Sequence, residues 1–197
     1  MIYKLPSGKT QADIQKEVVP VYDRVMAALQ AGEMDKAQAM ETLGSDLPEW
    51  FFSVEFRGGP GLVAPGRTAQ ATVELGEAGL YLMECYVKGP DGRFHSSMGM
   101  QKQFRVTEGA IEASPPGIDV ELGLSNSGID APDVLEAGFH TVRVKFEEDP
   151  AGGFPYDVHV ARLADDTDVE ALKAWMDWMN VGGLRAPAPA TFVGGAE

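Results

Sequence analysis

The sequence predicts a mainly β sandwich with helices inserted at about residues 10–43 and 167–179. Three observations favour this fold class. Short segments of strand composition recur from residue 50 onwards, and clusters of glycine and proline separate them. Apolar residues recur at helical spacing in the two proposed helical regions. A hydrophobic content of 44% in 197 residues is sufficient for a buried core.

The N-terminal region is predicted to form a short strand at residues 1–5, followed by two helices. Thr10 is placed to cap the first helix, which extends to Gln30. The apolar positions of this helix are spaced by three or four residues: Ile14, Val18, Val21, Val25 and Leu29. Pro20 interrupts the run, so we expect a kink or a break there. The second helix is predicted at 35–43.

The rest of the chain is predicted to be strands followed by one helix. The predicted strands share short length and flanking turn residues: 50–56, 68–75, 80–87, 101–107, 118–124, 140–146 and 156–163. The segment from Thr167 to Glu170 has the form of a capping box, which would begin the last helix. Turn residues at 182–183 would end it.

A faint internal repeat suggests a division at about residue 112. Residues 1–112 would form one unit without its front strands, and 113–197 would supply the front strands and helix of a second unit. Two interpretations stay open. The two parts complete one sandwich in permuted order, or the chain is a piece of a longer tandem protein. Both make strands 118–163 neighbours of the sheet that contains Cys85.

The net charge and the distribution of apolar residues disfavour some kinds of binding partner. Sixteen basic and thirty acidic residues give a formal net charge of −14, which disfavours nucleic acid and anionic membrane surfaces as partners. No apolar run approaches the ~20 residues that a membrane-spanning helix needs. Residues 1–5 resemble a strand rather than an export signal. The single cysteine excludes an intramolecular disulfide.

The strongest chemical signal is a group of three side chains on one hairpin. A predicted strand ends at Cys85, a loop rich in glycine and proline leads to His95, and Met100 begins the next strand. The hairpin would bring together a thiol, an imidazole and a thioether. This is the ligand set of a blue-copper electron-transfer site, because the sulfur ligands favour Cu(I) and imidazole suits Cu(II). Met98 is the alternative axial ligand.

The pattern around these residues resembles the C-terminal copper loop of cupredoxins. The matching positions are Gly79, Tyr81, Cys85, His95, Gly99 and Met100. The nine residues between Cys85 and His95 are similar to the type 1 loop of copper nitrite reductases. Three further segments resemble uncharacterised two-repeat cupredoxin-like proteins of bacteria: 47–51, 84–88 and 175–176. The resemblance implies a Greek-key cupredoxin-like β-sandwich with copper as its cofactor.

The resemblance assigns Cys85, His95 and Met100 as ligands but leaves the fourth position in doubt. In the family, a second histidine follows a proline and precedes an asparagine or aspartate. Here Tyr156 occupies that position between Pro155 and Asp157. His159 is a candidate metal ligand, although in a strand it would point to the opposite face from Tyr156.

Two functions from different classes follow from these expectations. The resemblance implies a periplasmic or secreted protein that carries electrons or copper to a redox or copper-transfer partner. The alternative is a metal-free interaction or assembly module with a degenerate copper site, in which exposed sheet edges permit a strand-exchanged dimer. We expect no enzymatic activity, because the three histidines are too few to build a catalytic copper site beside a type 1 centre.

Overall fold

The computed structural model describes residues 1–109, 114–148 and 156–197. In these residues nine strands form three sheets, one of which is mixed. About 24% of the described residues are helical and about 26% are in strands, so helices form nearly as much of the described structure as strands. The expectation of a β-sheet protein with helices in two regions therefore agrees with the structure in its coarse form.

The first helical region begins at Thr10 and has one irregular turn before Pro20. Helix α1 (Gln11–Asp13) continues through a π-helical turn (Ile14–Val18) into α2 (Val19–Ala31). Pro20 lies in the first turn of α2, where its missing N–H leaves no helical hydrogen bond unmade. The predicted break at Pro20 is therefore wrong, because the helical run from Gln11 to Ala31 is continuous, and its irregularity is the π-helical turn before the proline. Helix α3 (Lys36–Asp46) and a 3₁₀ turn (Glu49–Ser53) complete this region.

The main sheet is antiparallel and has the strand order β2-β1-β3-β4. Its strands are β1 (Ile2–Lys4), β2 (Glu55–Gly58), β3 (Gly79–Glu84) and β4 (Gln101–Val106). The predicted first strand is confirmed by β1, which pairs with β2 on one side and β3 on the other. This sheet supplies the strand ends on which Cys85 and Met100 lie.

Two smaller sheets form the remainder. Strands β5 (Val120–Ser125), β6 (Gly128–Asp130) and β7 (Val142–Phe146) have the order β6-β5-β7, and β5 is parallel to β7. Strand β8 (Val158–Arg162) pairs with β9 (Thr191–Ala196). Helix α4 (Val169–Met176) lies in the connection between β8 and β9.

The β8-β9 pair contacts the segment that follows β2. Isolated bridges join Pro60 to Ala196 and Val63 to Val193. The Gly61 N–H donates to the Gly195 carbonyl at 3.0 Å, and a Cβ on Gly61 would stand 2.6 Å from the Gly195 Cα. Glycine is therefore required for this approach. The predicted division at 112/113 falls within residues 110–113, outside the described residues, and stays a prediction.

Several predicted elements are corrected by the structure. No strand forms at 68–75, where most residues are exposed and the segment lies beside no ladder partner among the described residues. The predicted strand at 50–56 is instead a 3₁₀ turn followed by β2. Strand β9 was not predicted, because its glycines weaken the strand signal. Asp168, rather than Thr167, caps α4, since its Oδ1 accepts from the backbone of Glu170 and Ala171.

The hydrophobic core lies between the N-terminal helices and the main sheet. The apolar face of the first helical region packs against β1, β3 and the loop that contains His95. The buried core members are Tyr3, Leu5, Ile14, Val18, Val21, Val25, Met26, Leu29, Ala39, Leu43, Leu47, Leu82 and Phe94. The hairpin with the candidate ligands is therefore attached to the best-packed part of the molecule.

Candidate functional site

Cys85 and Met100 lie opposite each other just beyond the ends of β3 and β4. The register pairs Glu84 with Gln101, and the Cys85 N–H donates to the Met100 carbonyl at 3.2 Å. The ladder ends at the Glu84–Gln101 pair, and the backbone turns at Met100, because the Gln101 N–H donates to the Gly99 carbonyl at 2.8 Å. A backbone hydrogen bond thus joins Cys85 to Met100.

The loop between the two strands returns His95 to Cys85. The His95 N–H donates to the Val87 carbonyl at 2.8 Å, and the Ser96 N–H donates to the Cys85 carbonyl at 2.9 Å. A further bridge between Lys88 and Phe94 closes the loop. As a result, the Cys85 Sγ lies 3.6 Å from the His95 Nδ1. Both side chains are partly buried.

The two methionines of the site are more exposed than its thiol. The Met100 N–H donates to the His95 carbonyl at 2.9 Å, and 55% of the Met100 surface is accessible. Gly99 precedes it with φ +95°, a left-handed conformation that glycine adopts without strain. Met98 is 47% exposed, and its methyl group lies over Gly89, where a Cβ would stand 2.7 Å away.

Lys88 attaches the ligand loop to the C-terminal segment. Its side chain is buried, and its ammonium donates to the Trp178 carbonyl and, at 3.1 Å, to the Asn180 carbonyl. The Lys88 N–H also donates to the Leu184 carbonyl at 3.0 Å. Burial lowers the pKa of Lys88 to about 8, because desolvation disfavours the charged form. Sequence reasoning missed this residue, since a lysine in a loop is ordinarily solvated.

His159 is engaged by protein groups at both ring nitrogens. Its ring is 6% exposed, and its Nδ1 accepts from the Leu62 N–H at 3.0 Å. Its Nε2 lies 3.1 Å from the Asp157 Oδ2 and 3.4 Å from the Tyr86 hydroxyl. Because Nδ1 acts as an acceptor, Nε2 carries the proton in neutral His159. The structure thus gives this predicted ligand a hydrogen-bonding role.

Tyr156 contacts the β5–β7 sheet. Its hydroxyl donates to the Asn126 Oδ1 at 2.6 Å, and its ring stacks on Phe146 with centroids 6.1 Å apart. Desolvation raises the pKa of Tyr156. Pro155, the other half of the motif, lies outside the described residues. The position expected to supply a second histidine therefore has its own partners in the sheet.

The residues on either side of Cys85 are polar and partly buried. The Glu84 carboxylate accepts from the Gln101 Nε2 at 3.0 Å, and desolvation raises its pKa above the ordinary value. Desolvation also raises the pKa of the Tyr86 phenol, and the Glu197 carboxylate adds to this effect.

Acidic and imidazole side chains do not form a metal cluster in the described residues: no three or more His, Cys, Asp or Glu groups converge there. The Cys85–His95–Met100 set contains only two such residues, since a methionine thioether supplies the third donor. Within residues 1–109, 114–148 and 156–197, no helix has the length and apolar character needed to cross a membrane.

No protein-family model matches the chain, and neither a curated protein nor a solved structure is significantly similar to it. Among the predicted ligands, the Cys85 Sγ and the His95 Nδ1 are brought together, 3.6 Å apart.

Proposed function

We propose that the chain is a cupredoxin-like copper-binding protein that carries electrons or copper in the periplasm or outside the cell. Its ligands would be the Cys85 thiolate, the His95 Nδ1 and the Met100 thioether, on a Greek-key sandwich. The observation that supports this proposal is the 3.6 Å approach of the Cys85 Sγ to the His95 Nδ1. A redox or copper-transfer protein would be its partner.

The donor set fits a soft metal ion. Sulfur and nitrogen ligands of one tetrahedral ion, at about 2.3 Å and about 2.0 Å from it, are about 3.5 Å apart. The Sγ to Nδ1 separation of 3.6 Å agrees with this value. A thiolate with a thioether favours Cu(I) over harder divalent ions. Copper, when bound, supplies one-electron redox chemistry at this position.

The protein residues would keep the ligands in place. Backbone hydrogen bonds fix Cys85 to Met100 and His95 to Val87, and Lys88 anchors the loop to the C-terminal segment. A rigid frame limits rearrangement of the ligands when the metal changes oxidation state. With both nitrogens of His159 engaged, three protein ligands remain, so we expect Cu(I) to be bound more tightly than Cu(II).

An anaerobic Cu(I) titration against a chromophoric chelator tests the proposal. We expect one equivalent of Cu(I) to bind, and Cys85→Ala to weaken binding by about a hundredfold or more, because a thiolate ligand is lost. His95→Gln is expected to weaken it by about tenfold or more. Met40→Leu is the matched control, since Met40 is also accessible but lies on α3.

The titration also has an outcome that refutes the proposal. Equal Cu(I) affinity of the parent protein and Cys85→Ala would show that the metal binds elsewhere. A spectrum of the Cu(II) form, recorded in parallel, is expected to have weak blue absorption. An intense blue colour that survives His95→Gln would contradict the assigned ligands.

The second candidate is a metal-free interaction or assembly module with the same fold. The contacts of His159 and His140 favour it, because both ring nitrogens of each have protein partners, which leaves His95 as the one histidine available to a copper ion. Light scattering of the metal-free protein tests this candidate. A stable dimer that forms equally well in Cys85→Ala would support it, whereas a monomer that binds one Cu(I) would support the copper protein.

A further inference from the structure

A cavity of about 700 Å³ lies between the N-terminal helices and the main sheet. Pockets of roughly 300–1,000 Å³ bind small organic molecules in many proteins. The cavity adjoins the hairpin of the candidate metal ligands but is not lined by Cys85, His95 or Met100. It borders Glu84 and Tyr86 on one strand of that hairpin and Phe94 and Ser96 in its loop.

The walls of the cavity are mostly apolar and aromatic. Ile14 and Val18 border it from the π-helical turn, and Leu43 borders it from α3. An aromatic group centred on Tyr22 lines another side. The Tyr22 ring is 6.4 Å from Phe51 and 6.4 Å from Trp178 between centroids. Such walls favour a ligand with an alkyl or aryl body.

One end of the cavity is acidic. The carboxylates of Glu84, Asp157 and Glu197 border it, and no lysine, arginine or histidine is among the described residues that line it. The one cationic group there is the Met1 amine, which lies 2.8 Å from the Glu197 Oε2. Glu84 accepts from the Gln101 Nε2 and Asp157 lies 3.1 Å from the His159 Nε2, but no side-chain cation lines the cavity beside either carboxylate among the described residues. A ligand carboxylate or phosphate would meet like charge, whereas a ligand ammonium would meet opposite charge.

We propose that the cavity binds a lipophilic primary amine, with its ammonium group beside Glu84 and Asp157 and its apolar body against the aromatic group around Tyr22. The ammonium would donate charge-assisted hydrogen bonds to the two carboxylates. The proposal is independent of copper binding, because it uses neither Cys85 nor His95.

Isothermal titration calorimetry with three ligands of one shape tests the proposal. The probes are 4-phenylbutylamine, 4-phenylbutan-1-ol and 4-phenylbutyrate, which carry positive, neutral and negative head groups at neutral pH. We expect the amine to bind at least about tenfold more tightly than the alcohol, and the carboxylate to bind weakest. Equal affinities for the three probes, or no heat of binding with the amine at millimolar concentration, would overturn the proposal.

Variants of the acidic end separate charge recognition from general hydrophobic binding. Glu84→Gln keeps the shape of the side chain and is expected to weaken amine binding by about tenfold while leaving alcohol binding unchanged. If Glu84→Gln does not fold, Asp157→Asn serves the same purpose, since the Asp157 side chain is 54% exposed. Amine affinity that is unchanged in each folded carboxylate variant would refute the placement of the ammonium group.

A variant at the cavity border tests the location. Gly44 lies on α3, borders the cavity, and has open space where a Cβ would stand. Gly44→Phe should reduce binding of the amine and the alcohol together by about tenfold, because the ring would enter the cavity. Gly44→Ala is the matched control and should retain the parent affinities. Unchanged binding in Gly44→Phe would place the ligand elsewhere.

Discussion

Residues 1–109 and residues 114–148 differ in how they use their apolar side chains. The first region contributes every member of the buried core around the N-terminal helices and the main sheet. In the second region only Val120 and Leu124 are buried, and Phe139, Val134 and Ile129 are largely exposed. The hairpin of Cys85, His95 and Met100 is thus attached to the well-packed core, whereas the β5–β7 sheet buries few apolar side chains.

The largest difference in unfolding free energy between the two regions is expected from substitutions that shorten apolar side chains. Leu82 is fully buried in β3, so we expect Leu82→Ala to lower the free energy of unfolding by about 3 kcal/mol through lost burial and cavity formation. Ile129 is 63% exposed, and Ile129→Ala should change it by less than about 0.5 kcal/mol. Urea unfolding followed by circular dichroism measures both values, and similar losses for the two variants would contradict the comparison.

The pH dependence of stability should report the buried ammonium of Lys88. The folded state lowers the pKa of Lys88 from 10.5 to about 8, so between these values the unfolded state binds more protons. Stability should therefore rise with pH, by about 2 kcal/mol between about pH 7.5 and pH 9.5. Below pH 8 the lysine is charged in both states and the cost of burying it is fully present.

Lys88→Met is the control for this pH effect. The variant keeps a long unbranched side chain but cannot titrate, so its unfolding free energy should lose this rise between pH 7.5 and pH 9.5. Urea unfolding at a series of pH values measures the difference from the parent protein. If the unfolding free energy of Lys88→Met rose by the same amount over this pH range, the rise would come from groups other than Lys88.

Removing the caps of α3 and α4 should have unequal effects, because α3 packs into the core and α4 does not. The Asp35 Oδ1 accepts from the Gln38 N–H at 2.9 Å and caps α3, which contributes Ala39 and Leu43 to the core. Asp35→Ala is expected to cost about 1 kcal/mol of global stability. Helix α4, capped by Asp168, has no fully buried residue, so Asp168→Ala should cause local fraying.

Hydrogen exchange and urea unfolding distinguish these two outcomes. Asp168→Ala should increase amide exchange in α4 while leaving the unfolding midpoint nearly unchanged. For Asp35→Ala the midpoint itself should fall. Equal shifts of the midpoint would show that α4 unfolds together with the core.

The smallest effect is expected for the exposed pair of His140 and Asp119. The His140 Nε2 donates to the Glu136 carbonyl and its Nδ1 lies 2.7 Å from the Asp119 Oδ2, and these contacts raise the pKa of His140. The stability they add is present at low pH and is lost as the pH rises through the folded-state pKa of His140. The pair requires an ionised Asp119. The hydrogen bond with His140 favours that form, because it lowers the pKa of Asp119.

Nuclear magnetic resonance titration of the His140 ring protons measures this pair. Asp119→Asn should move the pKa of His140 towards its ordinary value, and added salt should reduce the shift because the pair is exposed. A His140 pKa that is the same in the parent and in Asp119→Asn would contradict the assigned partner.

Local periodicity predicted the helices well, whereas strand pairing was predicted only in part. The spacing from Ile14 to Leu29 is a property of neighbouring residues, so it is visible in sequence. A strand needs a partner from elsewhere in the chain. For this reason the strand predicted at 68–75 was wrong and β9 was missed, since sequence does not say which segments meet.

The same distinction applies to the candidate site. Cys85 and His95 are joined by a short loop with its own turn residues, so their proximity could be expected from sequence, and the 3.6 Å distance agrees with it. The partners of His159 could not, because Leu62 and Tyr86 are 97 and 73 residues away along the chain.

The sequence by itself determined the helices, the β3–β4 hairpin and the approach of a thiol to an imidazole, because each depends on contacts between residues close in the chain. Only the tertiary structure decided that Lys88 is buried, that both nitrogens of His159 are occupied, and that a mostly apolar cavity borders Glu84. Those features arise where distant segments exclude water together, and the free energy of a buried polar group depends on all of its neighbours.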